Sequence, residues 1–397
     1  MHPHPSRSLG FLLPWLLLLT LVVDGGLRYL PTELYAWRGW EVARRYRPSD
    51  DSAPFAPNVR YRTERTYGEL AQLGNLPGLR QYHPETFTTD AYGYRTTPPP
   101  GPGPLGPPAA IVVGSSFGVG LGVSDEQTLA AQLAALTGRP VYNAGGLFDD
   151  VSAAAVLRIA RRFELAHGLV VLEWLERHDE RPPLDGAPDQ RDRSERLCHA
   201  VLGPRAPRGC TTLRGLVTVS PVQVLAERAL RPLQNDRLLP NGYARRVVAR
   251  RLVTGETALF HPDDVAAYYR HQPEEAAAAY VARFADAVAA ANLDLLVVLV
   301  PHKYSVYYPL LAEPAPPALD AEPFLDRLEA RLCGRGIAVV NLAAPYRALT
   351  AQIPEGHEHL YWLDDAHWNP RGIAVAAAQI QRAWAAQARW ILSLIHI

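Results

Sequence analysis

The sequence predicts an α/β protein with a central, mostly parallel β-sheet, preceded by an N-terminal membrane-anchor helix. Three observations lead to this prediction: short apolar, β-branched runs typical of buried strands, Ala- and Leu-rich helical stretches between them, and a long apolar run near the N-terminus. Strands that alternate with helices at this spacing imply parallel β-α-β units. The chain has 397 residues, 48% of them hydrophobic, which is enough for one large domain or two modest ones.

The apolar run near the N-terminus extends from Leu9 to Val23, with Arg7 before it and Asp24 after it. A spanning helix needs about 20 apolar residues, and a cleaved signal peptide needs a small-x-small site that the next residues do not clearly supply. We therefore predict an uncleaved signal anchor over residues 1–30. This anchor would make the chain a single-pass protein of the inner membrane, with the residues after about 30 in the periplasm or outside the cell.

The rest of the chain divides by composition. Residues 31–108 are expected to form a membrane-proximal segment, with a strand–turn–strand element at Thr88–Arg95 and an exposed Pro-rich loop at 97–108. The α/β domain is predicted at 109–388, with an insertion rich in Arg, Pro and Asp at about 178–240. The apolar tail at 389–397 is left unassigned.

Within the α/β domain, five strands are predicted, at 109–113, at 141–146 together with the turn that follows the strand, and at 168–174, 293–300 and 337–342. Five helices are predicted at about 125–137, 151–165, 273–291, 323–334 and from the Asn-Pro at 369–370 to about 388. The helix near 125 is opened by Ser124 with Gln127 three residues later, which is the pattern of a capping box.

Charge and cysteine content exclude several classes of protein. Lys+Arg equals Asp+Glu, so the balance gives no reason to expect a nucleic-acid partner. Lys303 is the single lysine, which marks a position where a compact ammonium is needed. Cys198 and Cys210 are close enough to form a disulfide in an oxidising compartment, leaving Cys333 over. No Cys/His spacing is of the zinc type, and no metal or cofactor is expected.

The first candidate for catalysis is Ser116. It follows the strand at 109–113 in a Gly-Ser-Ser-Phe turn. A serine at the carboxyl end of a strand is where open α/β sheets expose reactive groups. Because Gly and Ser also form ordinary turns, this motif alone is a weak indication.

The second candidate is Leu363–Asn369, which contains two acids and a histidine before the last helix. An imidazole deprotonates a serine when a carboxylate fixes its tautomer and orientation. Asp365 and Asp364 precede His367 by two and three residues, and either one could do this. The acids, Asn369 and Pro370 could instead serve only as turn and helix-start residues, but that leaves His367 unexplained.

Together these motifs resemble the SGNH/GDSL hydrolase superfamily, with the serine early in the chain and the Asp/His pair late. Three further stretches are similar to the acetyltransferase domains of the alginate AlgJ/AlgX type: Glu-x-x-Glu-Arg at 173–177, Pro-x-Lys-x-x-x-Tyr at 301–307, and Asp-x-His-Trp at 365–368. The resemblance covers about 88–385. It implies a three-layer SGNH hydrolase-like sandwich. Its Asp-x-His-Trp motif favours Asp365, whereas the Asp-x-x-His of the wider superfamily points to Asp364, which remains the alternative.

The resemblance also has departures and implies further site residues. Ser115 stands where the superfamily has the Asp of its Gly-Asp-Ser motif, and no Gly-x-Asn-Asp is visible near Glu173. The oxyanion hole is therefore assigned to backbone N–H groups. Its candidates are Ser116 and Gly145 or Gly146, with a contribution from Asn143.

Four other residues are candidates for binding the substrate. Lys303 and Arg177 are placed to hold a carboxylate or hydroxyls of a polysaccharide, although Arg177 equally suits an ion pair with Glu173 or Glu176. Tyr307 and Trp368 are candidates for stacking on sugar faces, with partial burial in the core as the alternative.

The function implied is O-acetyl transfer to an exopolysaccharide or another cell-envelope glycan through an acetyl-serine. Its partners are the polysaccharide acceptor and a multispanning membrane acyltransferase that delivers acetyl, with no nucleic acid. Two alternatives remain: a carbohydrate esterase or deacetylase with the same triad, and a non-catalytic scaffold of a polysaccharide export machine.

Overall fold

The computed structural model describes residues 6–27, 38–43, 53–74, 76–100, 106–146, 153–176, 222, 247–313, 315–320 and 322–395. Its strands, in chain order, are β1 Arg60–Thr66, β2 His83–Thr88, β3 Ala110–Val113, β4 Val141–Asn143, β5 Leu169–Leu175, β6 Val248–Arg251, β7 Thr257–Phe260, β8 Asp294–Val300 and β9 Ala338–Asn341. Its α-helices are α1 Ser6–Leu27, α2 Gly39–Ala43, α3 Glu69–Leu73, α4 Ser116–Val119, α5 Leu129–Thr137, α6 Ala153–Arg162, α7 Pro262–Tyr268, α8 Glu275–Ala289, α9 Lys303–Tyr307, α10 Phe324–Cys333, α11 Ala343–Thr350 and α12 Pro370–Ile395.

Five parallel strands form the central sheet, in the order β4-β3-β5-β8-β9. Every residue of the central strand β5 is buried, as expected where helices cover both faces of a parallel sheet. The chain passes from β3 to β4 on one side and then from β4 to β5 on the other side of β3. The carboxyl end of β3 therefore lies at the point where the direction of the connections along the sheet reverses. Ligands bind at such positions in open α/β sheets. The predicted α/β class and parallel sheet are confirmed.

Alternate residues of the strands supply two hydrophobic cores, one on each face of the sheet. Val112, Val171 and Val298 pack with side chains of α5, α9, α11 and α12 on one face. Ile111 and Val170 pack with side chains of α6, α8 and α10 on the other. The period of two along each strand thus produces three layers, helix–sheet–helix, as the SGNH resemblance implies.

The segment before the sheet is more regular than its composition suggests. Strands β1 and β2 form an antiparallel hairpin within the predicted membrane-proximal segment. The predicted strand–turn–strand at Thr88–Arg95 is reduced to one bridge between Thr89 and Arg95. In the described parts of the Pro-rich loop, 97–100 and 106–108, there is no helix or strand.

Arg95 fastens this hairpin to the α/β domain. Its side chain is 1% exposed, and Nε lies 3.0 Å from Asp125 Oδ1. One terminal nitrogen donates to the carbonyl of Thr86 in β2 at 3.1 Å, and the guanidinium also donates to the carbonyls of Gly120 and Val123. A fully buried guanidinium is stable only when its donors are satisfied, and the acceptors for Arg95 lie both on β2 and in the loop after α4. Arg95 therefore links the hairpin to that loop.

Two elements between the insertion and β8 were not predicted. Strands β6 and β7 form a hairpin, and α7 follows it. The sequence of β6 is largely exposed and carries two arginines, so it lacks the apolar run that indicates a buried strand. Almost all of the predicted insertion at 178–240 lies outside the described residues.

The two ends of the chain contain helices. α1 covers most of the predicted anchor, and its apolar side chains, such as Trp15 and Leu17, are exposed. Over the described part of the chain, no helix meets the length and hydropathy needed to cross a membrane, so the anchor stays a prediction. At the other end, α12 continues to Ile395, past the predicted end near residue 388. The predicted capping box of Ser124 and Gln127 is present, and it caps the N-terminus of the short 3₁₀ turn that precedes α5.

Candidate active site

Ser116 begins α4 directly after the turn that ends β3. Ser115 is the N-cap residue of this helix, and its hydroxyl accepts a hydrogen bond from Phe117 N. This turn passes very close to β5, since a Cβ on Gly114 would lie 2.3 Å from Glu173 Oε2. The glycine is therefore required for space, and the turn that carries Ser116 is pressed against a neighbouring strand.

Glu173 holds this turn in place. Its carboxyl group is buried, and Oε2 accepts hydrogen bonds from Ser115 N at 2.6 Å and from Ser115 Oγ at 2.9 Å. The superfamily's Asp at this position would set a second carboxylate against that of Glu173. The serine avoids this repulsion and donates a hydrogen bond instead, which accounts for the departure from Gly-Asp-Ser.

His367 joins Ser116 to Asp365. His367 Nε2 lies 2.8 Å from Ser116 Oγ, and His367 Nδ1 lies 2.7 Å from Asp365 Oδ1. The imidazole is 5% exposed and its ring packs against Phe117, with ring centroids 4.8 Å apart. The three side chains thus form the continuous hydrogen-bonded line that a Ser-His-Asp arrangement requires.

Asp364 points away from the histidine. It is fully buried, and its Oδ2 accepts hydrogen bonds from Gly68 N and from Gln81 N, each at 2.8 Å. Burial raises the pKa of this carboxyl, against the effect of the two N–H donors. Of the two acids left open by the sequence, only Asp365 contacts His367.

The surroundings favour a charged His367 beside an ionised Asp365. Burial lowers the pKa of His367, but the charge of Asp365 and the hydrogen bond to it outweigh this effect, so the pKa is raised. Burial raises the pKa of Asp365, but the interactions with His367 and the hydrogen bond from Glu69 N reverse the shift, so the pKa is lowered. Such a pair stabilises the imidazolium that forms when the histidine takes a proton.

Lys303 does not face the substrate, contrary to the expectation from the sequence. It is 1% exposed, and burial lowers its pKa to about 7, a shift that Asp364 and Asp365 oppose. Its Nζ lies within hydrogen-bond distance of the carbonyl of Leu259 in β7, at 2.7 Å, and of three carbonyls in the loop that carries Asp365, those of Trp362 at 2.7 Å, Leu363 at 2.9 Å and Asp365 at 3.0 Å. Lys303 therefore ties the loop of Asp365 to β7, and a flat guanidinium cannot replace its compact ammonium in this role.

The two aromatic residues expected to stack on sugars are also in the core. Tyr307 is fully buried, and its hydroxyl accepts hydrogen bonds from Leu360 N at 3.0 Å and Tyr361 N at 3.1 Å. Trp368 is fully buried against Phe117. Neither ring can meet a sugar face, so the core alternative is the correct one for both. Arg177 lies outside the described residues.

The oxyanion-hole candidates are only in part available. Gly145 N donates to Asn143 Oδ1 at 3.1 Å, Gly146 N donates to Gly114 O at 2.8 Å, and Asn143 Nδ2 donates to Val119 O at 3.3 Å. These hydrogen bonds hold the turn after β4 against the turn that carries Ser116. The N–H groups of Gly145 and Gly146 already have acceptors, so they are not available to an oxyanion. Ser116 N, in the first turn of α4, is the one candidate that makes no hydrogen bond to the described residues.

A metal does not suit this site. Glu69, Asp365 and His367 each bring one potential ligand atom within 4.8 Å of the others. Both ring nitrogens of His367 are already engaged, one with Asp365 and one with Ser116. The imidazole therefore has no lone pair left for an ion while the triad is intact.

Sequence reasoning missed the contribution of the segment before the sheet. Gly68, Glu69 and Gln81 all contact the loop of the two acids, and Arg38 lies 3.9 Å from the carboxylate of Glu69. These contacts are made mostly through the backbone, so no residue type marks them. The only local feature in the sequence is the Gly68–Glu69 pair before a short amphipathic stretch. Such a pair indicates the start of a helix and not part of an active site.

Comparison with known proteins finds one family model that matches part of the chain. Residues 253–394 match the family model described as "SGNH hydrolase-like domain, acetyltransferase AlgX". This range contains Lys303, Asp365 and His367, whereas Ser116 precedes it. No curated protein matches the chain significantly. The resemblance drawn from the motifs is thus confirmed: over these residues the chain is similar to the SGNH hydrolase-like domain of the acetyltransferase AlgX.

Proposed function

We propose that this protein is an extracytoplasmic O-acetyltransferase that moves an acetyl group, through an acyl-enzyme on Ser116, to a hydroxyl of an exopolysaccharide or cell-envelope glycan. The observation that carries the proposal is the unbroken line from Ser116 Oγ to His367 at 2.8 Å and from His367 to Asp365 at 2.7 Å. The family match supports acyl chemistry at such a site. The intact geometry favours an enzyme over a non-catalytic scaffold.

The first half of the reaction forms the acyl-enzyme. His367 Nε2 takes the proton of Ser116 as Oγ attacks the carbonyl carbon of an acetyl ester. Asp365 stabilises the imidazolium, and the N–H of Ser116 is placed to stabilise the oxyanion. As the intermediate collapses, the bond to the donor oxygen breaks, and His367 returns the proton to the leaving group. Acetyl-Ser116 remains.

The second half transfers the acetyl group. An acceptor hydroxyl gives its proton to His367 and attacks the acetyl carbon, and Ser116 leaves with the proton that His367 returns. Water in place of the sugar hydroxyl makes the same site an esterase, so the acceptor that reaches the acyl-enzyme decides between the two activities.

Location and partners are part of the same proposal. The apolar run at 9–23 supports an anchor that holds the domain at the outer side of the inner membrane. Acetyl would then come from a multispanning membrane acyltransferase, and the acceptor would be the polysaccharide. The corrected roles of Lys303, Tyr307 and Trp368 leave the residues that bind the acceptor to be found among other side chains.

One experiment tests the proposal. The whole chain is incubated with an aryl acetate, with and without acetyl-accepting oligosaccharides, and compared with Ser116→Ala. We expect acetate release that needs Ser116, and transfer to at least one oligosaccharide detected by mass spectrometry. Release no faster than that of Ser116→Ala would refute both enzymatic functions. Release that needs Ser116, with no transfer to any acceptor, would make the protein an esterase.

A further inference from the structure

The segment before the sheet contacts the loop that carries Asp365 at one corner, which is formed by Gly68 and Glu69. Gly68 N donates to Asp364 Oδ2 and Glu69 N donates to Asp365 Oδ2, each at 2.8 Å. Two residues later, Ala71 N donates to Asp364 O at 3.0 Å. Three backbone N–H groups therefore join this corner to a loop that lies 296 residues further along the chain.

The corner is pressed tightly against that loop. A Cβ on Gly68 would lie 2.2 Å from Asp364 O and 2.4 Å from its carbonyl carbon. The backbone of Gly68 is extended, with φ −65° and ψ 146°, which any residue adopts. Glycine is thus needed here for close approach and not for conformation.

The carboxylate of Asp365 is held from both sides. Oδ1 accepts from His367 N at 3.1 Å and lies 2.7 Å from His367 Nδ1, while Oδ2 accepts from Glu69 N. Asp365 is 5% exposed, so loss of the Glu69 N–H leaves one buried oxygen without its donor. The carboxylate would then be able to turn about its Cβ–Cγ bond and weaken its alignment with the imidazole.

We propose that Glu69, through its backbone N–H at the Gly68–Glu69 corner, is a positioning residue that fixes the carboxylate of Asp365 towards His367. The inference rests on the proposed function, because it concerns the same Ser-His-Asp line. It assigns part of the active site to the segment before the α/β domain.

The side chain of Glu69 must be separated from its N–H in any test. The carboxylate of Glu69 lies within 4.8 Å of potential ligand atoms of Asp365 and His367, and its Oε2 lies 3.9 Å from Arg38 Nη1. Two substitutions remove this carboxylate equally. Glu69→Ala keeps the N–H, whereas Glu69→Pro removes it. The backbone accommodates proline, because Glu69 is the first residue of α3 and Gly68 before it is extended, and the proline Cδ would both replace the N–H and displace the carboxylate of Asp365.

The test compares these two variants in the whole chain, with aryl acetate as substrate. Relative to Glu69→Ala, we expect Glu69→Pro to lower kcat by about 10- to 100-fold with little change in KM, since the lost hydrogen bond acts on the acid and not on the substrate. We also expect the far-downfield proton signal of the His367–Asp365 hydrogen bond to be present in Glu69→Ala and lost in Glu69→Pro. Equal kcat values and an unchanged signal would overturn the proposal.

A second pair of variants covers the case in which Glu69→Pro does not fold. Gly68→Ala inserts a methyl group between the corner and Asp364, whereas Gly78→Ala, in the same segment, adds a Cβ with nothing within 4 Å. We expect kcat to fall in Gly68→Ala and to stay at the wild-type value in Gly78→Ala, with KM unchanged in both. Equal kcat values for the two would contradict the positioning role.

Ser116→Ala separates failure of this inference from failure of the proposed function. If Ser116→Ala releases acetate as fast as the wild type, the proposed function is wrong and the positioning role falls with it. If Ser116→Ala is inactive while Glu69→Pro matches Glu69→Ala, only the positioning role is wrong.

Discussion

Glu173 Oε2 accepts two hydrogen bonds from Ser115, one from its backbone N–H at 2.6 Å and one from its hydroxyl at 2.9 Å. This buried contact fixes the turn that presents the neighbouring Ser116. It also explains why the residue before Ser116 is a serine. The usual aspartate of the superfamily would face the carboxylate of Glu173 at hydrogen-bond distance.

The first prediction concerns this pair. Ser115→Asp should lower the melting temperature by several degrees and reduce acetate release, because two buried carboxylates cannot both ionise at this distance. Ser115→Ala should be milder, since it removes the two hydrogen bonds of the hydroxyl, to Glu173 and from Phe117 N, but adds no charge. The double variant Ser115→Asp/Glu173→Gln should recover much of the loss. Equal damage in Ser115→Asp and the double variant would contradict the role given to Glu173.

The second prediction is a pH profile. His367 accepts a proton only when neutral, and Asp365 raises its pKa, so the charged form persists to higher pH than for an ordinary histidine. Acetate release should therefore rise with pH, with its midpoint above the usual value of about 6.5. Asp365→Asn should move the midpoint down and lower kcat by roughly 10³- to 10⁴-fold. A midpoint that Asp365→Asn leaves unchanged would exclude Asp365 as the partner of His367.

The third prediction distinguishes the two acids. Asp364→Asn keeps an oxygen that accepts from Gly68 N and Gln81 N, so kcat should fall by less than about tenfold. The pH midpoint should stay at the wild-type value, because Asp364 makes no contact with the imidazole. Kinetics of Asp364→Asn and Asp365→Asn, measured side by side, check this. A larger loss in Asp364→Asn would reverse the assignment.

The fourth prediction concerns Lys303. Lys303→Met removes the donor that four backbone carbonyls share. Each carbonyl that stays buried without a partner costs roughly 1–3 kcal/mol, so the free energy of unfolding should drop markedly. In the fraction that folds, kcat should fall more than KM changes, because the loop of Asp365 loses its anchor. An increase in KM for a sugar acceptor at constant kcat would instead restore the substrate-binding role.

The fifth prediction concerns Tyr307. Tyr307→Phe leaves the N–H groups of Leu360 and Tyr361 without their acceptor, and the free energy of unfolding should fall by about 1–3 kcal/mol. Chemical denaturation measures this loss. KM for any accepted oligosaccharide should not change, because the ring is fully buried.

The central sheet could be predicted from the sequence because its strands contain apolar runs, as at 169–172, and helical stretches separate them. The β6–β7 hairpin could not, since the exposed residues of Val248–Arg251 carry no such run. Its position is set by tertiary contacts, among them the hydrogen bond from Lys303 to the carbonyl of Leu259 in β7.

The candidate site divides in the same way. Ser116, Asp365 and His367 could be found because side-chain chemistry marks them. The roles of Lys303, Tyr307 and Trp368 were misassigned because residue type does not reveal burial, and a lone lysine suits a substrate anion as well as backbone carbonyls. The corner at Gly68–Glu69 could not be found at all, since it acts through N–H groups that every residue except proline possesses.

The contact between this corner and the two acids spans 296 residues of sequence. During synthesis the hairpin and the nucleophile turn emerge long before the loop that orients the histidine. Contacts of such separation form late in folding. The growing chain therefore presents Ser116 before His367 and Asp365 exist, so the proposed activity is the last property that it would acquire. Under the proposed function, an unfinished or C-terminally clipped copy that lacks this loop would be inert.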